Sequence, residues 1–170
     1  MEAKKIVLTA IMICFIIITT MFFKIPIPFA NGYVHLGDAM VFLSVLILGT
    51  KQGALAAAIG SALGDVMGGF AIWAPWTLVI KGVMALILGA FILKMTGNGR
   101  ELKLRRASAI QAIGMLFAGL WMTFGYFVAE SIMYSWVIAL IGIPWNIGQF
   151  ALGMAIATAA AASLSRIHFL

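Results

Sequence analysis

The sequence predicts an all-α integral membrane protein: one bundle of six transmembrane helices, both termini cytoplasmic, with residues 1–170 as a single domain and no soluble domain of its own. Three observations predict it. Apolar residues make up 64% of the chain and charged residues 9%, against roughly half and a quarter in a soluble domain. So few charges cannot cover a core with polar surface, so lipid must cover much of it. The length of 170 residues accommodates six crossings at roughly 20 apolar residues each. The basic residues also segregate to one set of connections.

Helix 1 reads from Lys5 to Phe23. Its apolar run, Ile6 to Phe23, is too long for an ordinary signal-peptide core, and no small-residue cleavage site follows. Lys24 to Gly37 reads as irregular because Pro26, Pro28, Asn31 and Gly32 interrupt it. Helix 2 is short, Asp38 to Gly49, and the turn GTKQG leads to helix 3, Ala54 to Gly69. A loop around GGFAIWAP precedes helix 4, Trp76 to Met95. The basic segment Lys94 to Arg106 separates the halves. Helix 5 runs from Ala107 to Met133; after Tyr134 to Pro144, which carries few breakers, helix 6 continues to about Leu164.

With six spans, Lys4, Lys5, Lys51, Lys94, Arg100, Lys103, Arg105, Arg106 and Arg166 share one side, Lys24 alone takes the other, and Lys81 falls inside helix 4. The positive-inside rule makes the rich side, with both termini, cytoplasmic. The net charge of +6 is then a consequence of topology, and no nucleic-acid partner is needed to explain it. The lone Cys14 excludes a disulfide framework and a cysteine metal site and reads as a packing residue. Gly53, Ala57, Gly60, Gly64 and Gly68 form a small-residue stripe on helix 3. Such a stripe serves packing within the bundle or contact with another subunit.

Charged groups in lipid each need a reason. Glu2 and Glu101 fall on the basic side, whereas Asp38, Asp65 and Glu130 fall toward the opposite half, as do His35, Trp73, Trp76, Asn146 and Gln149. Polar groups at one depth on several helices predict a cavity opening to that side. Asp65 and Lys81 lie at similar distances from the loop joining helices 3 and 4. Either they form a structural ion pair, or Asp65 holds Lys81 toward a ligand. Tyr33, Trp73, Trp76 and Trp145 fit an interfacial aromatic belt or a stacking surface for a flat heteroaromatic ligand. Asn146 and Gln149, three apart on one helix face, offer amide donors and acceptors. No phosphate loop, nucleophile elbow or paired-carboxylate motif occurs, and His35 and His168 make no local metal motif. Catalysis is therefore not expected, nor a metal or cofactor, and any motor for active transport would lie on other chains.

The stretch from GYVHLGDA (32–39) through WAPWTLVIKG (73–82), with IPWNIGQ (143–149), resembles the substrate-binding S components of energy-coupling factor (ECF) vitamin transporters, in the group that takes hydroxymethylpyrimidine, pyridoxine and some riboflavin. The resemblance covers essentially the whole chain. It implies a multi-pass protein of a prokaryotic plasma membrane that captures a vitamin from outside. The pocket would be formed by the outer ends of helices 4 to 6 and the loop after helix 1. The protein would dock on a transmembrane coupling subunit carrying two ABC ATPase subunits, which use the ATP, then topple and release its cargo inward. It places substrate contacts among Tyr33, His35, Trp73, Trp76, Lys81, Glu130, Asn146 and Gln149. It also implies a docking face on helix 1, where the family's two alanines four apart correspond to Ala10 and Cys14, with Ala3 and Val7 as a second small pair. Hydroxymethylpyrimidine or a vitamin B6 form fits the aromatic and amide inventory, and riboflavin is the alternative. A lipid-modifying membrane enzyme and a homo-oligomeric pore are competing readings from other classes.

Overall fold

A computed structural model describes residues 2–26, 33–96 and 109–166. These form six helices and one short hairpin: α1 Glu2–Phe22, β1 Lys24–Pro26, β2 Tyr33–His35, α2 Gly37–Leu48, α3 Thr50–Met67, α4 Ala74–Thr96, α5 Ala109–Met133 and α6 Trp136–Arg166. The expected Arg100, Glu101, Lys103, Arg105, Arg106 and His168 lie outside the described residues, as do Pro28, Asn31 and Gly32.

Helix α2 sets the architecture. It is apolar all round, so it is stable only when enclosed, and Val41, Phe42 and Val45 have no exposed surface. It packs on α1, α3, α4 and α6. The outer helices follow one another as α1, α3, α4, α5 and α6, each touching the next. Large apolar side chains such as Phe15, Phe117, Phe124 and Leu152 point outward from these helices, as a lipid-covered surface requires. Four helices, α1, α4, α5 and α6, are long and apolar enough to cross a membrane.

The small-residue stripe of α3 packs inside the bundle. A Cβ at Gly60 would lie 2.9 Å from the Cβ of Ile16, and one at Gly53 would lie 2.6 Å from the Cα of Val45. The bare backbone of α3 is thus what lets α1 and α2 approach, and close packing is what holds helices together in lipid. The turn between α2 and α3 is tighter than the sequence predicts. Gly49 alone, at φ 83° and ψ 179°, links them, in a backbone region open essentially to glycine. Helix α3 therefore begins at Thr50 rather than Ala54.

One other expectation is corrected, and the start of helix 6, which the sequence leaves open, is defined. The segment expected to be irregular holds an antiparallel pair with Lys24 opposite His35 and Pro26 opposite Tyr33. Lys24 anchors it by donating to the Gly68 carbonyl at 3.2 Å, where the C-terminal end of α3 favours a cation. Its ammonium also lies 5.2 Å from the Tyr33 ring centre and 5.3 Å from that of Phe70. Helix α6 runs unbroken through Pro144, as neighbouring helices in a bundle permit.

Candidate functional site

At about 1.5 Å per residue, the 12 residues of α2 span only about 18 Å, short of the roughly 30 Å hydrocarbon core. The hairpin fills the space beyond its first turn. The backbone N–H of His35 donates to Gln149 Oε1 on α6 at 3.0 Å. The N–H of Gly37 donates to His35 Nδ1 at 2.9 Å. With Nδ1 accepting, a neutral His35 carries its proton on Nε2. Burial first, then the Lys81 charge, pushes the His35 imidazole down to about 3, so it is neutral at physiological pH.

A buried polar network lies beneath. Lys81 on α4 forms an ion pair with Asp38 in the first turn of α2, and both side chains have no exposed surface. Gln149 Nε2 donates to the other Asp38 oxygen at 3.0 Å. Lys81 also lies 2.9 Å from Met122 Sδ and 5.4 Å from the Tyr126 ring centre on α5. Four helices thus meet on one charge pair. The α2 amide dipole adds to the stabilisation of Asp38, since helix N-termini favour anions.

This arrangement corrects the expected Asp65–Lys81 pair. Asp65 Oδ1 instead accepts from the Tyr33 hydroxyl at 2.5 Å. The expectation rested on depth along a hairpin, which leaves rotation about each helix axis undetermined. Asp38 competes because α2 packs against α4 at the centre of the bundle. The Tyr33 phenol, held by burial and then by Asp65 well above its ordinary range, stays protonated and donating.

Above the ion pair lies a pocket of about 400 Å3, its open mouth included. Tyr33 and His35 line it from the hairpin, Asp65 from α3, Trp73 and Thr77 from the start of α4, Tyr126 and Glu130 from α5, and Asn146 and Gln149 from α6. Its aromatic side is built of Trp73 and Tyr126, with ring centres 6.1 Å apart at an interplanar angle of 60°. Thr77 Oγ1 and the Tyr126 hydroxyl are 3.2 Å apart. Glu130 is 4% exposed, and its Oε2 has no hydrogen-bond partner among the described residues.

Of the expected contact residues, Tyr33, His35, Trp73, Glu130, Asn146 and Gln149 come together around this space. Lys81 does not; it is spent on Asp38 one layer below. Trp76 does not either: it is half-buried against the core. Trp145 is exposed on α6. Thr77 and Tyr126 were missed by sequence reasoning. Thr77 stands four residues before Lys81 and Tyr126 four before Glu130, so the shared-face rule for helices could have found both. On α1, Ala10 and Cys14 are exposed on the face opposite Thr9, Met12, Ile16 and Thr20. Among the described residues no His, Cys, Asp and Glu cluster suited to a metal occurs.

The sequence model of the family described as "ECF-type riboflavin transporter, S component" matches residues 1–166. An uncharacterised protein from the gap 3′ region of Pyrococcus woesei is 38% identical over 117 residues, covering 69% of this chain and 72% of that protein. The thiamine precursor transporter HmpT of Lactococcus lactis subsp. cremoris is 26% identical over 155 residues, covering 91% of this chain and 83% of the transporter.

Proposed function

The chain belongs to the family of ECF-type riboflavin transporter S components, multi-pass substrate-binding proteins of the cell membrane, and on that premise we propose that its ligand is a small single-ring heteroaromatic vitamin or precursor, hydroxymethylpyrimidine or a vitamin B6 form. The pocket is the observation that carries this reading. Trp73 and Tyr126 offer ring faces, and Asn146 and the His35 Nε2–H offer edge hydrogen bonds. That combination suits a flat ring with polar substituents. The thiamine precursor named for the Lactococcus relative is of this class.

The six helices cross the membrane with both termini cytoplasmic, and the pocket opens outward. Support comes from the exposed Lys4, Lys5, Lys51 and Lys94 at the bundle end opposite the hairpin. A transmembrane coupling subunit carrying two ABC ATPases supplies the energy, and the flat face around Ala10 and Cys14 on α1 is where this chain docks. Small exposed residues permit close helix contact in lipid.

Riboflavin is the second reading, favoured by the description of the family itself. Its tricyclic ring and ribityl chain demand more of the pocket than a single ring does. Native mass spectrometry of the chain purified from cells under mild conditions separates the readings. A retained mass of a single-ring pyrimidine or pyridine supports the proposal; a retained riboflavin mass replaces it.

A further inference from the structure

The buried carboxyl of Glu130 has no role in the ion-pair network, and the fold makes room for it. Gly142 on α6 faces it, and a side chain at that position would collide with the Glu130 carboxyl. The carboxyl lines the pocket while only 4% exposed, and its Oε2 lacks a partner among the described residues. The other acid in the pocket, Asp65, also has one unpartnered oxygen among the described residues, but its Oδ1 is committed to Tyr33. An unsatisfied buried oxygen costs free energy unless something donates to it, and a built space that keeps it unsatisfied needs a reason.

We propose that Glu130 is the specificity-determining residue of the pocket: its free oxygen accepts a hydrogen bond from an exocyclic amino group on the ligand ring. This rests on the single-ring reading above and narrows it to an aminopyrimidine-type edge. The ring then lies against Trp73 and Tyr126, with its amino edge toward α5 and its remaining polar groups toward Asn146 and Gln149. A ring bearing only acceptors or alkyl groups at that edge leaves Oε2 buried and unpaired, which is how a site rejects an analogue lacking a donor. Selection therefore operates by penalty as much as by attraction.

The test compares 4-amino-5-hydroxymethyl-2-methylpyrimidine with its 4-desamino analogue, by calorimetric titration of the purified full chain and of the E130Q and E130D variants. The intact protein is expected to bind the amino compound at least about tenfold more tightly than the desamino compound, the scale of leaving one buried acceptor unpaired. In E130Q an amide NH2 replaces one of the two acceptor oxygens, so the preference should fall several-fold while the desamino compound binds as before. E130D, which withdraws the carboxyl by one methylene, should lose most of the preference, and it carries the test if E130Q does not accumulate folded. An unchanged preference in either folded variant overturns the role of Glu130 and leaves the single-ring reading intact. Equal binding of the two compounds by the intact protein also overturns it. Binding of riboflavin with no binding of either pyrimidine overturns the underlying reading, and this inference with it.

Discussion

The ammonium of Lys81, in the N-terminal half of α4, rests on the carboxylate of Asp38 at the start of α2, and neither side chain is reached by solvent. A buried pair of this kind contributes little net stability over an apolar replacement, but losing one partner leaves an uncompensated charge in the core. Its position beneath the pocket lets it hold α2, α4 and, through Gln149, α6 in register.

Replacing one partner should therefore be far worse than replacing both. Lys81→Ala and Asp38→Ala are each expected to destabilise the protein by roughly 3–5 kcal/mol. A Lys81→Met/Asp38→Leu double variant should cost much less than their sum. Thermal unfolding in detergent reads this, and additive losses would show that the pair is not coupled.

Gln149 joins the hairpin to the ion pair by accepting from His35 N–H and donating to Asp38. Gln149→Ala removes both bonds and one pocket amide. Ligand affinity should fall by about tenfold or more, as expected when buried hydrogen-bonding groups lose their partner. Amide exchange at residues 33–37 should rise in parallel. Faster exchange with unaltered affinity would place Gln149 outside the ligand contact.

His35 gives the fold a pH dependence with a definite sign. Its folded value of about 3 lies below the ordinary value near 6.5, so the unfolded chain takes up the proton first as pH falls. The stability it contributes is complete above about 6.5 and is lost as pH falls from there toward 3. Between pH 8 and pH 7 its contribution should be flat. His35→Asn, which can present an oxygen to the Gly37 N–H, should weaken the acid-side decline in melting temperature. An equally steep decline in that variant would assign it to other groups.

On α1 the exposed Ala10 and Cys14 lie away from the pocket. Ala10→Trp should leave ligand binding by the purified chain unchanged and abolish uptake in cells that supply the coupling subunit and ATPases. Normal uptake would move the docking face elsewhere, and lost binding would show that α1 supports the pocket.

Hydropathy made the helices legible because lipid imposes it on every outward face, from Phe15 on α1 to Leu152 on α6. The hairpin was not legible: strands of three residues have no periodicity to read, and Pro26 and Pro28 signal only the absence of helix. Six of the eight expected contact residues line the pocket because the hairpin and the ends of α4, α5 and α6 that carry them meet at one depth. Lys81 shares a face with Thr77 but lies one layer below the pocket, whereas Trp76 is rotated off it. Trp73 precedes the first turn of α4 and Trp76 lies within it, so a three-residue separation does not put them on one helical face. The packing of α2 at the centre of the bundle is what sets Asp38, rather than Asp65, against Lys81.

The central claim is a pocket for one small heteroaromatic ring. Equilibrium titration of the purified chain with hydroxymethylpyrimidine, pyridoxine and riboflavin tests it most directly. One of the two single-ring compounds should bind at a one-to-one ratio with a Kd below about 1 μM, equivalent to about 8 kcal/mol, and riboflavin should bind far more weakly. Tight binding of riboflavin alone, or of none of the three, would contradict it.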